Sequence, residues 1–198
     1  MFSKSEYLKL LMIGDRDAGR VDLRHLYIYN ECPDMYGISD FLFTNVTING
    51  DQVQLQIWDN VHGRHRLVYT PCARGALGVL LVYNISSRES FDHLTDWLSA
   101  LERVPKEDVV ITLVANEVDS EQPRVVTTEE GRKFAKERNL LFIETSVRRR
   151  VNINEMFDLT INNVIETCKI KGIDPLAFGR SKMMQHNASY SKQSKCNI

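Results

Sequence analysis

Strand-sized apolar runs alternating with helical patterns leave this chain few possible architectures. Residues 8–13 form a first buried-strand pattern that stops at Gly14, and residues 20–29 follow as a helical segment. Residues 41–48 and 53–58 are strand patterns around Asn49-Gly50, the dipeptide that best suits a tight hairpin turn. Residues 77–83, 109–114 and 140–143 are apolar enough to be central strands covered on both faces. Ser86-x-x-Glu89, Thr127-x-x-Glu130 and Asn152-x-x-Glu155 each put a capping oxygen three residues before an acid that reaches back, so each predicts a helix start. In the last of these helices Ile153, Met156, Phe157, Ile161, Val164, Ile165 and Cys168 share one face at 3.6-residue spacing, the pattern of core packing. One hairpin followed by strands alternating with helices predicts a mostly parallel α/β sheet flanked by helices. Ligands bind such sheets at the carboxyl ends of the strands, so the candidate site is sought there.

Size and charge narrow the class further. A chain of 198 residues suits one α/β domain with a short tail. With 26 acidic and 25 basic side chains the formal charge is -1, so no global basic field exists and nucleic acid is not an expected partner. The charge is unevenly placed. From Pro175 to Ile198 there are four basic residues (Arg180, Lys182, Lys192, Lys195) and no acid, so the tail carries +4 and the body -5. That tail is rich in Ser, Asn and Gln, and residues 173–198 are expected to be a flexible appendage to a domain spanning 1–172. Cysteines at 32, 72, 168 and 196 form neither a disulfide framework nor a C-x-x-C site and read as reduced thiols. The first eleven residues lack the apolar core of a signal peptide, and the longest apolar run, residues 76–83, is strand-sized. A cytosolic globular domain is the expectation.

The first strand is followed by Gly14-Asp15-Arg16-Asp17-Ala18-Gly19-Arg20-Val21. A phosphate-binding loop needs G-x-x-x-x-G-K-[S/T] at a strand-to-helix turn. Its glycines let backbone N–H groups curl around phosphate, its Lys reaches the outer phosphates and its hydroxyl ligates magnesium. Both glycines stand at that spacing, with Arg20 in the Lys position and Val21 in the hydroxyl position. By itself this is also the pattern of an ordinary glycine-marked turn. The other strand ends follow in order: Leu55-Gln56-Ile57-Trp58-Asp59, Ala73-Arg74-Gly75-Ala76, Ala115-Asn116-Glu117-Val118-Asp119 and Glu144-Thr145-Ser146-Val147. Together they resemble the Ras-superfamily small GTPases. The L-Q-I-W-D and A-R-G-A stretches, with residues 83–91 and Asp96-Trp97-Leu98, resemble the Rab branch, and the resemblance covers about residues 7 to 172. It implies a six-stranded G-domain fold with five parallel strands and one antiparallel.

The roles that the resemblance implies transfer unevenly. For guanine, the family's N-K-x-D motif is half present: Asn116 and Asp119 stand in place, and Glu117 replaces the Lys. Ser146 and Val147 match the motif whose backbone N–H groups read the base. For phosphate and metal, Gly14, Gly19, Arg20 and Asp59 remain as candidate nucleotide-binding residues. Val21 and Tyr36 occupy the places of the two magnesium-ligating hydroxyls, so near-octahedral coordination is expected to be lost. Asp17 puts a carboxylate in the loop, and Arg is no simple substitute for Lys there. The segment between Arg20 and Phe41 is about three residues short of a typical Rab. In Asp59-Asn60-Val61-His62-Gly63 the D-x-x-G-Q motif is broken, with His62 or Gly63 at the position of the water-orienting glutamine depending on the gap. Losing about three charge-assisted contacts at ~1.5–3 kcal/mol each removes roughly 5–9 kcal/mol, or about three to six decades of affinity. Weak GTP or GDP binding without an efficient hydrolysis cycle is the expectation.

The resemblance also implies partners. Phe41 and Trp58 match two exposed aromatics that Rab effectors read, and the third position holds Cys72. Cys196 lies where Rab proteins carry prenylated cysteines, but it misses the C-a-a-X pattern and has no second cysteine beside it. A lipid there plus the basic tail would supply two weak membrane signals. Three functional readings follow: a partner-binding pseudo-GTPase in vesicle trafficking, on the cytosolic face of endomembranes; a genuine but slow GTPase switch; and a decoy that occupies Rab regulators.

Overall fold

The computed structural model describes residues 7–32, 39, 41–59, 73–102, 109–118 and 121–176. In chain order these give β1 (Tyr7–Gly14), a 3-10 turn (Arg16–Ala18), α1 (Arg20–Tyr29), β2 (Phe41–Ile48) and β3 (Asp51–Asp59). There follow β4 (Gly78–Asn84), α2 (Arg88–Asp92), α3 (Leu94–Glu102), β5 (Val110–Glu117), α4 (Thr128–Glu137), β6 (Leu141–Ser146) and α5 (Ile153–Lys171). The strands form one six-stranded sheet in the order β2-β3-β1-β4-β5-β6. Only β2 and β3 pair antiparallel; the other neighbours are parallel. The expected fold class is the observed one.

Local chemistry accounts for these elements. Asn49 and Gly50 both take positive φ, 53° and 92°, as a two-residue hairpin turn with right-handed strand twist requires. Side chains alternate across the central strands. Leu8, Leu10 and Met12 of β1 face one layer with Leu80, Val82 and the stripe of α5, while Leu11 and Ile13 face the other with Leu81, Tyr83, Leu94 and Trp97. Covering both faces is what makes β1 and β4 almost wholly apolar. In α5 the predicted face is the buried one, with Ile165 half-buried at its margin.

Two of the three predicted caps differ. Thr127 and Glu130 make the full reciprocal capping box of α4. At α2 the cap is Ser87, whose hydroxyl accepts from the Ser90 N–H, while Ser86 donates to the Gln122 carbonyl and does not cap. Asn152 is the N-cap residue of α5, as predicted, but it sits in the left-handed region; its amide donates to the Glu144 carbonyl and its side chain makes no capping bond. The first helix thus begins one residue later than the pattern placed it, and the second begins at the predicted residue without a side-chain cap. The strands β5 and β6 also extend three residues beyond their apolar runs. Asn116 pairs with Thr145 and Glu117 with Ser146 in the ladder, so polar residues continue these strands to their carboxyl ends.

Candidate functional site

The carboxyl ends of β1, β3, β4, β5 and β6 bring the candidate residues together. At the end of β1 Gly14 has φ 141°, and a Cβ there would lie 2.1 Å from the Val82 carbonyl oxygen, so only glycine lets the chain leave β1 beside β4. The turn closes with the Ala18 N–H donating to the Asp15 carbonyl. Gly19, at φ 74°, then serves as the N-cap of α1. A Cβ on Gly19 would meet the Asn116 amide at 2.7 Å, because Asn116 reaches across from β5. The strand–turn–helix frame of a phosphate loop is therefore present from Gly14 to α1.

Asn116 is the node of the base side. Its amide donates to the Ala18 carbonyl at 2.8 Å, and its carbonyl oxygen accepts from the Thr145 hydroxyl at 2.9 Å. One buried side chain thus joins β5, β6 and the loop after β1. The Val147 N–H donates to the Glu117 carbonyl, and the Ser146 hydroxyl accepts from the Arg149 N–H. Glu117 forms an ion pair with Arg149, with nitrogen–oxygen distances of 2.7 and 2.9 Å. A hydrogen bond from Ser146, then the bond and charge of Arg149, hold the Glu117 carboxyl below its usual range. Asp119 lies outside the described residues.

The phosphate side is built around Arg20. Its side chain is 7% exposed and its guanidinium is bonded within the protein: Nε donates to Asp59 Oδ1 at 2.9 Å, and Nη1 donates to the carbonyls of Gly14 and Asp15. Asp59 ends β3 with no exposed surface, and its Oδ2 has no hydrogen-bond partner among the described residues. Val21 contributes no side-chain oxygen, whereas Asp17 is exposed at the turn. Tyr36, His62 and Gly63 lie outside the described residues.

Three features had no signal in local sequence. Asp15 is held by two distant side chains: Oδ2 lies 2.6 Å from His93 Nδ1 and Oδ1 accepts from the Trp97 indole at 2.8 Å. Those partners are 78 and 82 positions away, beyond the reach of any spacing rule. Arg24 is buried on α1 and donates to the Ser39 carbonyl at 3.1 Å, joining that helix to the chain just before β2. The Glu117–Arg149 pair likewise joins residues 32 positions apart.

The candidate partner-binding aromatics sit on the β2–β3 ribbon. Phe41 and Trp58 are directly opposite in the ladder and stack with centroids 4.7 Å apart. Phe41 is 37% exposed, and the Lys9 ammonium lies 3.8 Å above the Trp58 ring, covering part of it. Phe43, two residues along the same face, is 59% exposed. Cys72 and Cys196 are outside the described residues.

A six-stranded, mostly parallel sheet with a glycine-framed loop between β1 and α1, and an Asn node at the end of β5, defines a nucleotide-binding α/β domain of the small-GTPase type. The family model described as the Ras family matches residues 9–166. The chain belongs to the Ras family. Domains of this family generally bind GTP or GDP with Mg²⁺, and they bind regulators and effectors.

Proposed function

We propose that this chain is a Rab-like member of the Ras family that works in vesicle trafficking by binding partners, with weak guanine-nucleotide binding and little or no hydrolysis. The observation that carries the reading is the buried Arg20–Asp59 pair beside Val21. Magnesium in such a site needs a set of hard oxygen ligands. Here the loop offers no hydroxyl at position 21, and one oxygen of Asp59 is already committed to a guanidinium. This donor set supports a reading in which magnesium is held weakly, with Asp59 Oδ2 the one carboxylate oxygen of the pair left for it. The base side favours residual guanine binding, since Asn116 keeps its joining role and Ser146 and Val147 keep their place beside it. Asp119 would carry the selectivity for guanine.

For partners, the stacked Phe41 and Trp58 with exposed Phe43 supply an apolar strip suited to an effector. For location, the proposal puts the chain in the cytoplasm, on the cytosolic face of endomembranes, through Cys196 and the basic tail. A Cys196→Ser variant should shift from the membrane to the soluble fraction of lysed cells; full retention on membranes would exclude a lipid on that thiol.

The nucleotide reading is tested by calorimetric titration of nucleotide-stripped protein with GDP and GTP, in Mg²⁺ and in excess EDTA. Micromolar or weaker binding, equal in both buffers, is expected. Tight binding that requires Mg²⁺ would favour a working GTPase switch.

A further inference from the structure

We infer that Asp59 acts in this chain as an internal competitor for Arg20, so that the loop holds its own counter-ion until an anion displaces it. The inference rests on reading Gly14 to Gly19 as an inherited phosphate loop, and it assigns Asp59 a role opposite to that of a metal-bearing carboxylate.

The geometry has three parts. Arg20 is the cation at the start of α1, and its Nε is spent on Asp59 Oδ1. Its Nη1 is spent on two carbonyls of the loop itself, so the guanidinium is folded back against the turn it would have to serve. Only Nη2 has no bond among the described residues, leaving a single donor nitrogen to meet an anion. Both partners of the ion pair are buried, at 7% and 0% exposure, where charges attract more strongly than in water. An entering phosphate that draws Arg20 away would take from the buried Asp59 the one cation that pairs with it among the described residues, and that penalty opposes binding. Among the described residues, the two other carboxylates of the loop do not share this role. Asp15 is held by His93 and Trp97, and Asp17 is exposed to solvent.

The sign of one substitution separates the two roles. Where Asp59 serves a metal, Asp59→Asn weakens nucleotide binding and the loss appears only with Mg²⁺. Where Asp59 competes for Arg20, the same variant removes the competing charge and strengthens anion binding with or without Mg²⁺. The experiment is isothermal titration of full-length wild type, Asp59→Asn and Arg20→Met with inorganic pyrophosphate and with GDP, in EDTA and in Mg²⁺. Asp59→Asn is expected to bind both ligands about tenfold tighter than wild type, a change of ~1.4 kcal/mol, and Arg20→Met to lose the pyrophosphate signal. Unchanged affinity in Asp59→Asn beside measurable wild-type binding would overturn the competition and leave the phosphate-loop reading standing. Binding by neither wild type nor Asp59→Asn would overturn both. Weaker binding in Mg²⁺ alone would return Asp59 to a metal. A readout on wild type guards against a variant that fails to fold. The Arg20 Nε–H resonance, assigned by its loss in Arg20→Lys, should shift when saturating pyrophosphate is added, and an unmoved resonance under saturation would overturn the proposal.

Discussion

The two halves of the site are held by different kinds of bond. On the base side Asn116 joins three elements with neutral hydrogen bonds, and each partner atom is satisfied whether or not a ligand is present. On the phosphate side, among the described residues, the buried Asp59 carboxylate has one cation and one oxygen without a partner. A neutral node keeps the shape of a pocket at small cost. A buried ion pair stabilises mainly by contrast with the unpaired charge that appears when either member is removed. The phosphate side should therefore be the more fragile half, although it looks equally well bonded.

The largest effect should come from Arg20→Met. Removing the guanidinium leaves Asp59 buried without its cation and frees two loop carbonyls, and losses of this type are about 3–5 kcal/mol. Urea unfolding should show that loss, and adding Asp59→Asn should recover much of it. If the double variant is no more stable than Arg20→Met alone, the ion pair is not what holds this half.

Asn116→Ala should come second. It strips hydrogen bonds from the Ala18 carbonyl and the Thr145 hydroxyl without stranding a charge, for a loss of about 2–3 kcal/mol. The same urea titration measures it. A loss greater than that of Arg20→Met would reverse the ranking of the two halves.

Much of the fold was legible because it depends on periodicity. β1, β4 and β5 announce themselves as apolar runs, α5 by its stripe, and the hairpin by Asn49-Gly50. The glycines were legible as well, since Gly14 and Gly19 take conformations that other residues adopt only under strain. The site was legible as a set of positions but not as a set of bonds. Arg20 could be placed on the loop, yet nothing in the sequence says that its guanidinium turns back onto Asp59, 39 residues later. Asp15 gave no hint of His93 and Trp97, and Ser86 and Asn152 were matched to caps they do not make. Each of these side chains bonds to a partner distant in the sequence, and spacing rules carry no information about such partners. The ends of β5 and β6 were missed for a related reason: strand ends that build a site are polar, and an apolar pattern stops short of them.

Glu117→Gln should have the smallest effect and sharpens the comparison most, because it removes a charge from the base side. Arg149 is 66% exposed, so water screens its pair with Glu117, and the loss should stay below about 1 kcal/mol. Its pH dependence follows from the direction of the shift. The folded carboxyl titrates below its usual range, held there by Ser146 and Arg149. The pair's contribution is therefore complete above the unfolded value of about 4.3 and is lost as pH falls through the folded value. Wild type and Glu117→Gln should differ slightly in urea midpoint at pH 7 and converge on acidification below that value. Asp59 offers the control within the same molecule: among the described residues it has one cation, and it has no exposed surface, so Arg20→Met should be costly at pH 7 where Glu117→Gln is nearly silent. A Glu117→Gln loss as large as that of Arg20→Met would mean that the base side also rests on charge, and the distinction between a neutral node and a buried ion pair would fail.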